Sequence, residues 1–371
     1  MPPLLGGMER LNWHMAHELA RAAEVRIVGP QGAAVLSPPK VVVREAPLRP
    51  LVIFLLIALW RGLREALRFR PDIVLAGSGL TAPIAWLVAR CCKARMVVYV
   101  HGLDIVVPSP IYRRLWLPAI RRADRVIANS HATAKLAEQI GISTDCLGVV
   151  HPGVDLPQLE IDSASATRFR LKYDLTGRPV LISVGRLTQR KGLLEFVTNV
   201  LPEVVHRKPD VVLLIVGDEA RQALHSKFQT RETIQAAADA AGVGRHLCFL
   251  GKLRDSELIA AYQASDVHVF PIQYVYGDPE GFGMVAVEAA AHGLPTVAYA
   301  CGGVVDAVRH DVSGWLVEPE DASGFAAAVL RELSSRRARS QIYNFATGFT
   351  WTAFGDRIRA QLVEASQVNT A

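Results

Sequence analysis

Two glutamates stand eight residues apart in the stretch PEGFGMVAVEA, Pro279 to Ala289. Gly281 and Gly283 let the backbone turn tightly ahead of a helix predicted over 284–292, which Gly293 and Pro295 close. The start of such a helix offers N–H donors and a positive dipole end to an anion. Glu280, in the turn, would project beside that anion. Glu288 lies more than one turn into the helix, between Val287 and Ala289. A carboxylate there is rarely buried without a partner, and the adjacent hydroxyls of a ribose suit it because it can accept from both. A core salt bridge or a helix-face charge is the alternative for Glu288, and a polar loop position is the alternative for Glu280.

A second pair, Arg186 and Lys191, falls in LISVGRLTQRKGLLEF. A predicted strand ends at Gly185 and a helix begins near Lys191 or Gly192, so two cations meet at a strand-to-helix crossover. That geometry suits a diphosphate. Two solvated surface cations would give the same residues. His101, in YVHGLDI, follows a predicted strand and sits at its carboxyl end, where a structural histidine is the alternative. Gly6 and Gly7 form a tight turn before the first helix, which alone is a weak signal.

The elements that must place these residues alternate. Apolar strands are expected at 25–28, 72–76, 96–100, 125–128, 147–150, 180–184, 211–216, 248–250, 267–270 and 296–300, with helical stretches between them. Strands of this kind alternating with helices predict parallel sheets covered on both faces. The fold class is therefore α/β. Ten units exceed one small sheet, and the chain turns more polar between Asp155 and Pro179. Two doubly wound, Rossmann-like domains are expected, over 1–158 and 174–345, facing a cleft, with a C-terminal helix in 346–371 packing back on the first. Ligands bind at the carboxyl edge of such sheets. The Gly6–Gly7 loop and the helix after it normally follow a first strand, yet almost nothing precedes them, so the first strand of the N-terminal domain is expected to be missing, and a start lying upstream of Met1 would explain it.

Composition narrows the classes. Half of the 371 residues are hydrophobic and a fifth charged, a globular profile. Five scattered cysteines form no disulfide framework; a reducing cytoplasm, with the thiols as small core residues, is expected. The most apolar run, Leu51 to Trp60, is ten residues long, too short to span a bilayer. The net charge of +6 is uneven: basic residues outnumber acidic ones 19 to 11 in residues 1–158, and the remainder is slightly acidic. Leu51–Trp60 runs into Arg61, Arg64, Arg68 and Arg70, which suits an anionic lipid surface; a core helix with solvated arginines is the alternative. Nucleic acid is not expected, because basic residues are not interleaved with aromatics on a platform.

Taken together, LLGGMERLNWHMAHELA, VHGLD, RVIANSHATAKLA, VHPGVD, SVGRLTQRKG, LIVGD, FLGKL, ASDVHVFPI, PEGFGMVAVEAAAHGLPTV and GGVVDAV resemble the GT-B-fold retaining glycosyltransferases of family 4 over nearly the whole chain. The GDPEGFG context is similar to phosphatidylinositol mannosyltransferases. The resemblance implies that Arg186 and Lys191 bind the nucleotide diphosphate, that Glu288 holds the ribose, and that Glu280 contacts the donor sugar. It implies that Gly281, Phe282 and Gly283 seat sugar and phosphate, that His101 lies near the reacting centre, and that Gly6 and Gly7 meet phosphate or acceptor. The implied donor is GDP-mannose or a UDP-hexose, and the acceptor a glycan or lipid-linked molecule of envelope or exopolysaccharide synthesis. No cofactor and no metal are expected, and the enzyme would be cytoplasmic, peripheral on the inner membrane face. Many members have Gly after VGD where this chain has Glu219. A GT-B nucleotide-sugar epimerase and a non-catalytic scaffold subunit are the alternatives.

Overall fold

A computed structural model describes residues 6–157, 163–219, 229–335 and 337–367. The chain divides into two compact units, Met1–Gly153 with Phe349–Ala371, and Val154–Gly348.

In the first unit all described strand pairs are parallel. β1 (Arg26–Pro30) pairs with β2 (Val42–Ala46), and β3 (Ile73–Ala76), β4 (Arg95–Val100), β5 (Arg125–Ala128) and β6 (Leu147–Val149) form a second sheet in that order. The two sheets are separate among the described residues. A strand ahead of the helix Gly7–Leu19 would fall on residues 1–5, which lie outside the described residues. β4 is apolar at every position but its first and is almost wholly buried, as a strand covered on both faces must be. Its Tyr99 is fully buried, gives its hydroxyl to Val150 O at 2.8 Å, and meets Phe354 of the C-terminal helix edge-on. That helix, Trp351–Gln367, lies against Gly7–Leu19, where Gly355 leaves room for Glu18: a Cβ there would come within 2.5 Å of the Glu18 Cβ. Arg125 of β5 ties it down through Gln361 and Glu364.

The second unit holds β7 (Val180–Val184), β8 (Val212–Val216), β9 (Leu247–Gly251), β10 (Val267–Phe270), β11 (Thr296–Tyr299) and β12 (Gly314–Val317), in the spatial order β12-β11-β10-β7-β8-β9. All their pairings are parallel. β7, β8, β10 and β11 are buried at every position, which explains why they are apolar apart from Ser183, His268 and Thr296. Helices cover the sheet, with Phe196, Phe325 and Tyr299 packed together in one core cluster.

Two strands were missed by the search for continuous apolar runs. β2 alternates exposed and half-buried positions up to its buried last residue, Ala46, and carries Arg44 and Glu45, and β12 is short and opens on glycine. The cysteines correct another expectation. None is fully buried: Cys91 is exposed and the other four are half-buried, of which Cys248 and Cys301 pack against the core. Cys91 and Cys92 end the helix Ala82–Cys92, whose buried face is made by Ala82, Ala85, Val88 and Ala89.

Candidate active site

From β7 the chain proceeds to β8 and β9 on one side of the sheet, then returns to place β10 on the other side of β7. The carboxyl ends of β7 and β10 thus mark a topological switch point, where open α/β sheets bind ligands. After β7 comes a single turn of 3₁₀-helix, Gln189–Lys191, ended by Gly192 at φ +66°. A Cβ at Gly192 would lie 1.9 Å from Pro271 O, so only glycine fits between this turn and the segment leaving β10. The Gln273 N–H donates to Arg190 O at 2.8 Å, locking the two segments together.

The interlock buries four charges. Lys191 Nζ donates to Glu280 Oε2 at 2.9 Å and lies 4.6 Å from the Phe270 ring centroid. Arg190 donates through one terminal nitrogen to Asp278 Oδ1 at 2.5 Å and to Pro279 O at 3.1 Å. Its Nε lies 3.2 Å from Glu280 Oε2. None of the four side chains is more than 14% exposed. Burial alone would raise the Glu280 pKa, but Lys191 and then Arg190 override it and hold the carboxyl at about 2. Burial draws the Lys191 ammonium below its usual range, against the pull of Glu280. Arg186 is exposed on the same segment and acts on both by its charge.

The turn bearing Glu280 rests on a glycine pair. The Gly303 N–H donates to Glu280 O at 2.9 Å, and a Cβ at Gly303 would lie 2.1 Å from Gly281 O. Phe282 is buried, and Gly283 caps the helix Met284–Ala291 at φ +97°, where a Cβ would press on the Phe270 ring at 2.9 Å. Glu288 is half-buried on that otherwise largely buried helix. Behind the site, His268 of β10 shares a 3.0 Å hydrogen bond through Nδ1 with Thr296 Oγ1, and its buried Nε2 has no partner. Burial, then Lys191, depresses its pKa to about 3, so the ring is neutral.

Arg186, Lys191, Glu280, Gly281, Phe282, Gly283 and Glu288 all belong to the second unit. His101, Gly6 and Gly7 belong to the first. His101 is buried just beyond β4, with Nε2 2.9 Å from Gly77 O. A carbonyl only accepts, so Nε2 donates in this contact. Its backbone N–H and that of Gly79 both donate to Asp104 Oδ2 at 3.1 Å. Gly6 precedes the helix Gly7–Leu19 as its N-cap and accepts from Arg10 N–H at 3.1 Å. Sequence inspection missed Arg190, Asp278 and the supporting role of Gly302–Gly303. The available signal was charge pairing: adjacent cations at 190 and 191, and carboxylates at 278 and 280.

Comparison with known proteins is consistent with this architecture. Residues 167–348 match the glycosyl transferases group 1, and residues 5–158 match Glycosyltransferase Family 4. A GDP-mannose-dependent alpha-(1-6)-phosphatidylinositol monomannoside mannosyltransferase of Mycolicibacterium smegmatis is 32% identical over 70% of this chain. A D-inositol 3-phosphate glycosyltransferase of Mycolicibacterium vanbaalenii is 31% identical over 78% of it. The chain belongs to the family 4, group 1 glycosyltransferases. It spans 66% of the length of each of those two relatives. Among solved structures, Anabaena HepE in complex with UDP-glucose aligns with a TM-score of 0.77 at 21% identity, covering 98% of this chain and 97% of that one. That likeness shows the fold, which is GT-B.

Proposed function

We propose that this family 4 member is a retaining glycosyltransferase. It moves a hexose from a nucleotide diphosphate sugar to a glycan or lipid-linked acceptor of the cell envelope. The observation that carries the proposal is the buried Lys191–Glu280 pair at the switch point, with Arg186 exposed beside it. Breaking the anomeric C–O bond places negative charge on the departing diphosphate and positive charge on the sugar ring. Arg186 and Lys191 stabilise the first, and donors fixed before the reaction cost no reorganisation during it. Glu280 is ionised at any physiological pH, so it positions the sugar and does not act as a general acid. Glu288 holds the ribose hydroxyls, and Gly281, Phe282 and Gly283 seat sugar and phosphate. By the family resemblance, His101 is assigned to the reacting centre, and Gly6 with Gly7 to phosphate or acceptor. The leaving phosphate takes the acceptor's proton on the face it departs from, which retains configuration. The charge on the diphosphate is met by side chains, without a metal or cofactor.

GDP-mannose is the favoured donor, with a UDP-hexose second, because a relative 32% identical is named as GDP-mannose-dependent. Calorimetry with GDP, UDP and ADP, followed by label transfer from the matching donor to phosphatidylinositol-type lipids, tests this. Binding of none of the three nucleotides would end the proposal. Conversion of labelled donor to a new nucleotide sugar without any acceptor would favour the epimerase instead.

The acceptor side supports a membrane-peripheral enzyme. The helix Leu51–Phe69 turns Ala58, Glu65 and Ala66 inward, with Glu65 bridging Arg44 and Arg26. Its opposite stripe exposes Val52, Leu56, Trp60 and Leu67, each more than half accessible, and Arg64 and Arg68 beside them are exposed too. Among the described residues no helix is long and apolar enough to cross a membrane. An apolar stripe rimmed by arginines suits the headgroup region of an anionic bilayer.

A further inference from the structure

Arg190 stands beside the donor-site pair without a part in the chemistry above. Its guanidinium is buried and fixed: one nitrogen holds Asp278 and the Pro279 carbonyl, and its own backbone carbonyl accepts from Gln273. Its Nε–H makes no hydrogen bond. Yet that nitrogen is 3.2 Å from Glu280 Oε2, the same oxygen that Lys191 Nζ contacts at 2.9 Å. The distance suits a hydrogen bond and the alignment does not. A buried donor left idle is costly, so its place needs a reason.

The reason lies in the charge balance. Arg190 and Lys191 together neutralise Asp278 and Glu280, so the ammonium is already committed when a pyrophosphate arrives. As the Lys191 ammonium turns its donors and charge to the diphosphate, its hold on Glu280 loosens. That carboxylate would then be buried without a full partner, which favours protonation or displacement. We propose that Arg190 is a positioning residue that takes over Glu280 when Lys191 turns to the donor's diphosphate, its idle Nε–H closing on the oxygen the ammonium gives up. Arginine suits the task because its rigid fork keeps Asp278 on one arm while Nε aims at Glu280; a lysine has one point charge to offer. The inference rests on the assignment of Lys191 to the diphosphate.

The charged and titratable groups facing Glu280 are Arg186, Arg190 and Lys191 from the segment after β7, Asp278 on its own loop, and Cys301 beyond β11. The test is calorimetry of GDP and UDP binding to the full chain near pH ~6 in buffers of differing ionisation enthalpy, which counts protons taken up. Wild type, Arg190→Gln, Arg190→Lys and Lys191→Ala are compared. In Arg190→Gln, binding is expected to take up additional protons, approaching one, with an affinity loss smaller than that of Lys191→Ala, since Lys191 is retained. Arg190→Lys, which keeps the charge, should show a partial effect; if Arg190→Gln fails to fold, this variant carries the test. With GDP-mannose or UDP-glucose, turnover should drop ~10-fold or more at near-constant KM, with its acidic limb moved to higher pH. A merely structural role would lower the melting temperature without moving proton uptake or that limb. Wild-type proton uptake in a folded Arg190→Gln overturns the proposal, as does an affinity loss equal to that of Lys191→Ala, which would make Arg190 a phosphate ligand. Wild-type nucleotide affinity in Lys191→Ala would instead overturn the donor-site assignment beneath it.

Discussion

Removing charge at Arg186 or Lys191 is expected to lower turnover at least ~10-fold, because each stabilises charge that develops on the leaving diphosphate. Steady-state kinetics of Arg186→Ala and Lys191→Ala measure it, and full activity in both would refute the phosphate assignment. The two substitutions are not equivalent. Arg186 is exposed, so its removal leaves nothing buried and unpaired. Lys191 is half of a buried pair, so its removal also frees Glu280 from its nearest partner, and a lower melting temperature should accompany the kinetic loss. Glu288→Ala should act differently again. A carboxylate that holds ribose contributes to donor binding in ground and transition states alike, so donor KM should rise with kcat little changed. An unaltered KM would remove Glu288 from the nucleotide.

At the scale of elements, the site depends on close backbone approach. Gly303→Ala would place a Cβ 2.1 Å from Gly281 O, against the backbone of Gly281 and Phe282 with no flexible side chain to yield. The Glu280 turn must then shift. Because misplacement of about 1 Å can cost ~100-fold, turnover should fall by one to two orders of magnitude. Gly348→Ala, which meets nothing within 4 Å, is the control and should be silent in both activity and melting temperature. Equal behaviour of the two variants would show that the glycine pair does not support the turn. The stripe on Leu51–Phe69 is an element-scale feature as well: its buried side explains Ala58 and Ala66, and nothing in that packing explains Trp60 or Leu56 on the opposite side.

At the scale of the whole molecule, two properties follow from how charge and burial are distributed. Positive charge concentrated in residues 1–158, with that stripe, predicts flotation with anionic liposomes at low salt and release as salt rises. Co-migration that is absent at low salt would end the membrane proposal. Acid stability is the second. Burial, then Lys191, lowers His268 to about 3, and burial lowers His292 to about 4. Both stay neutral in the folded chain while the unfolded chain takes up protons below pH ~6.5. Their contribution is therefore complete above that pH and is lost as pH falls towards 4, at about 1.4 kcal/mol per pH unit for each histidine. Glu280 adds a loss only lower, between its unfolded value and about 2. Urea midpoints should decline from pH 7 to 4.5, and His268→Gln should flatten the slope; a flat wild-type profile would contradict both burial assignments.

The sequence by itself determined the α/β class, most strands, and the residue types at the switch point. A short apolar run bounded by turn residues, such as that of β8, suits a parallel strand covered on both faces, and glycines beside charged residues at strand ends mark turns that approach ligands. It could not reveal β2, whose alternation lacks such a run, or the outward placement of Cys91. Only the tertiary structure decided which carboxylate meets which cation. Arg190 and Asp278 are 88 residues apart in the chain and 2.5 Å apart in space, brought together because β10 returns beside β7. Local chemistry can announce that a charge needs a partner; its identity is fixed by the order in which strands enter the sheet.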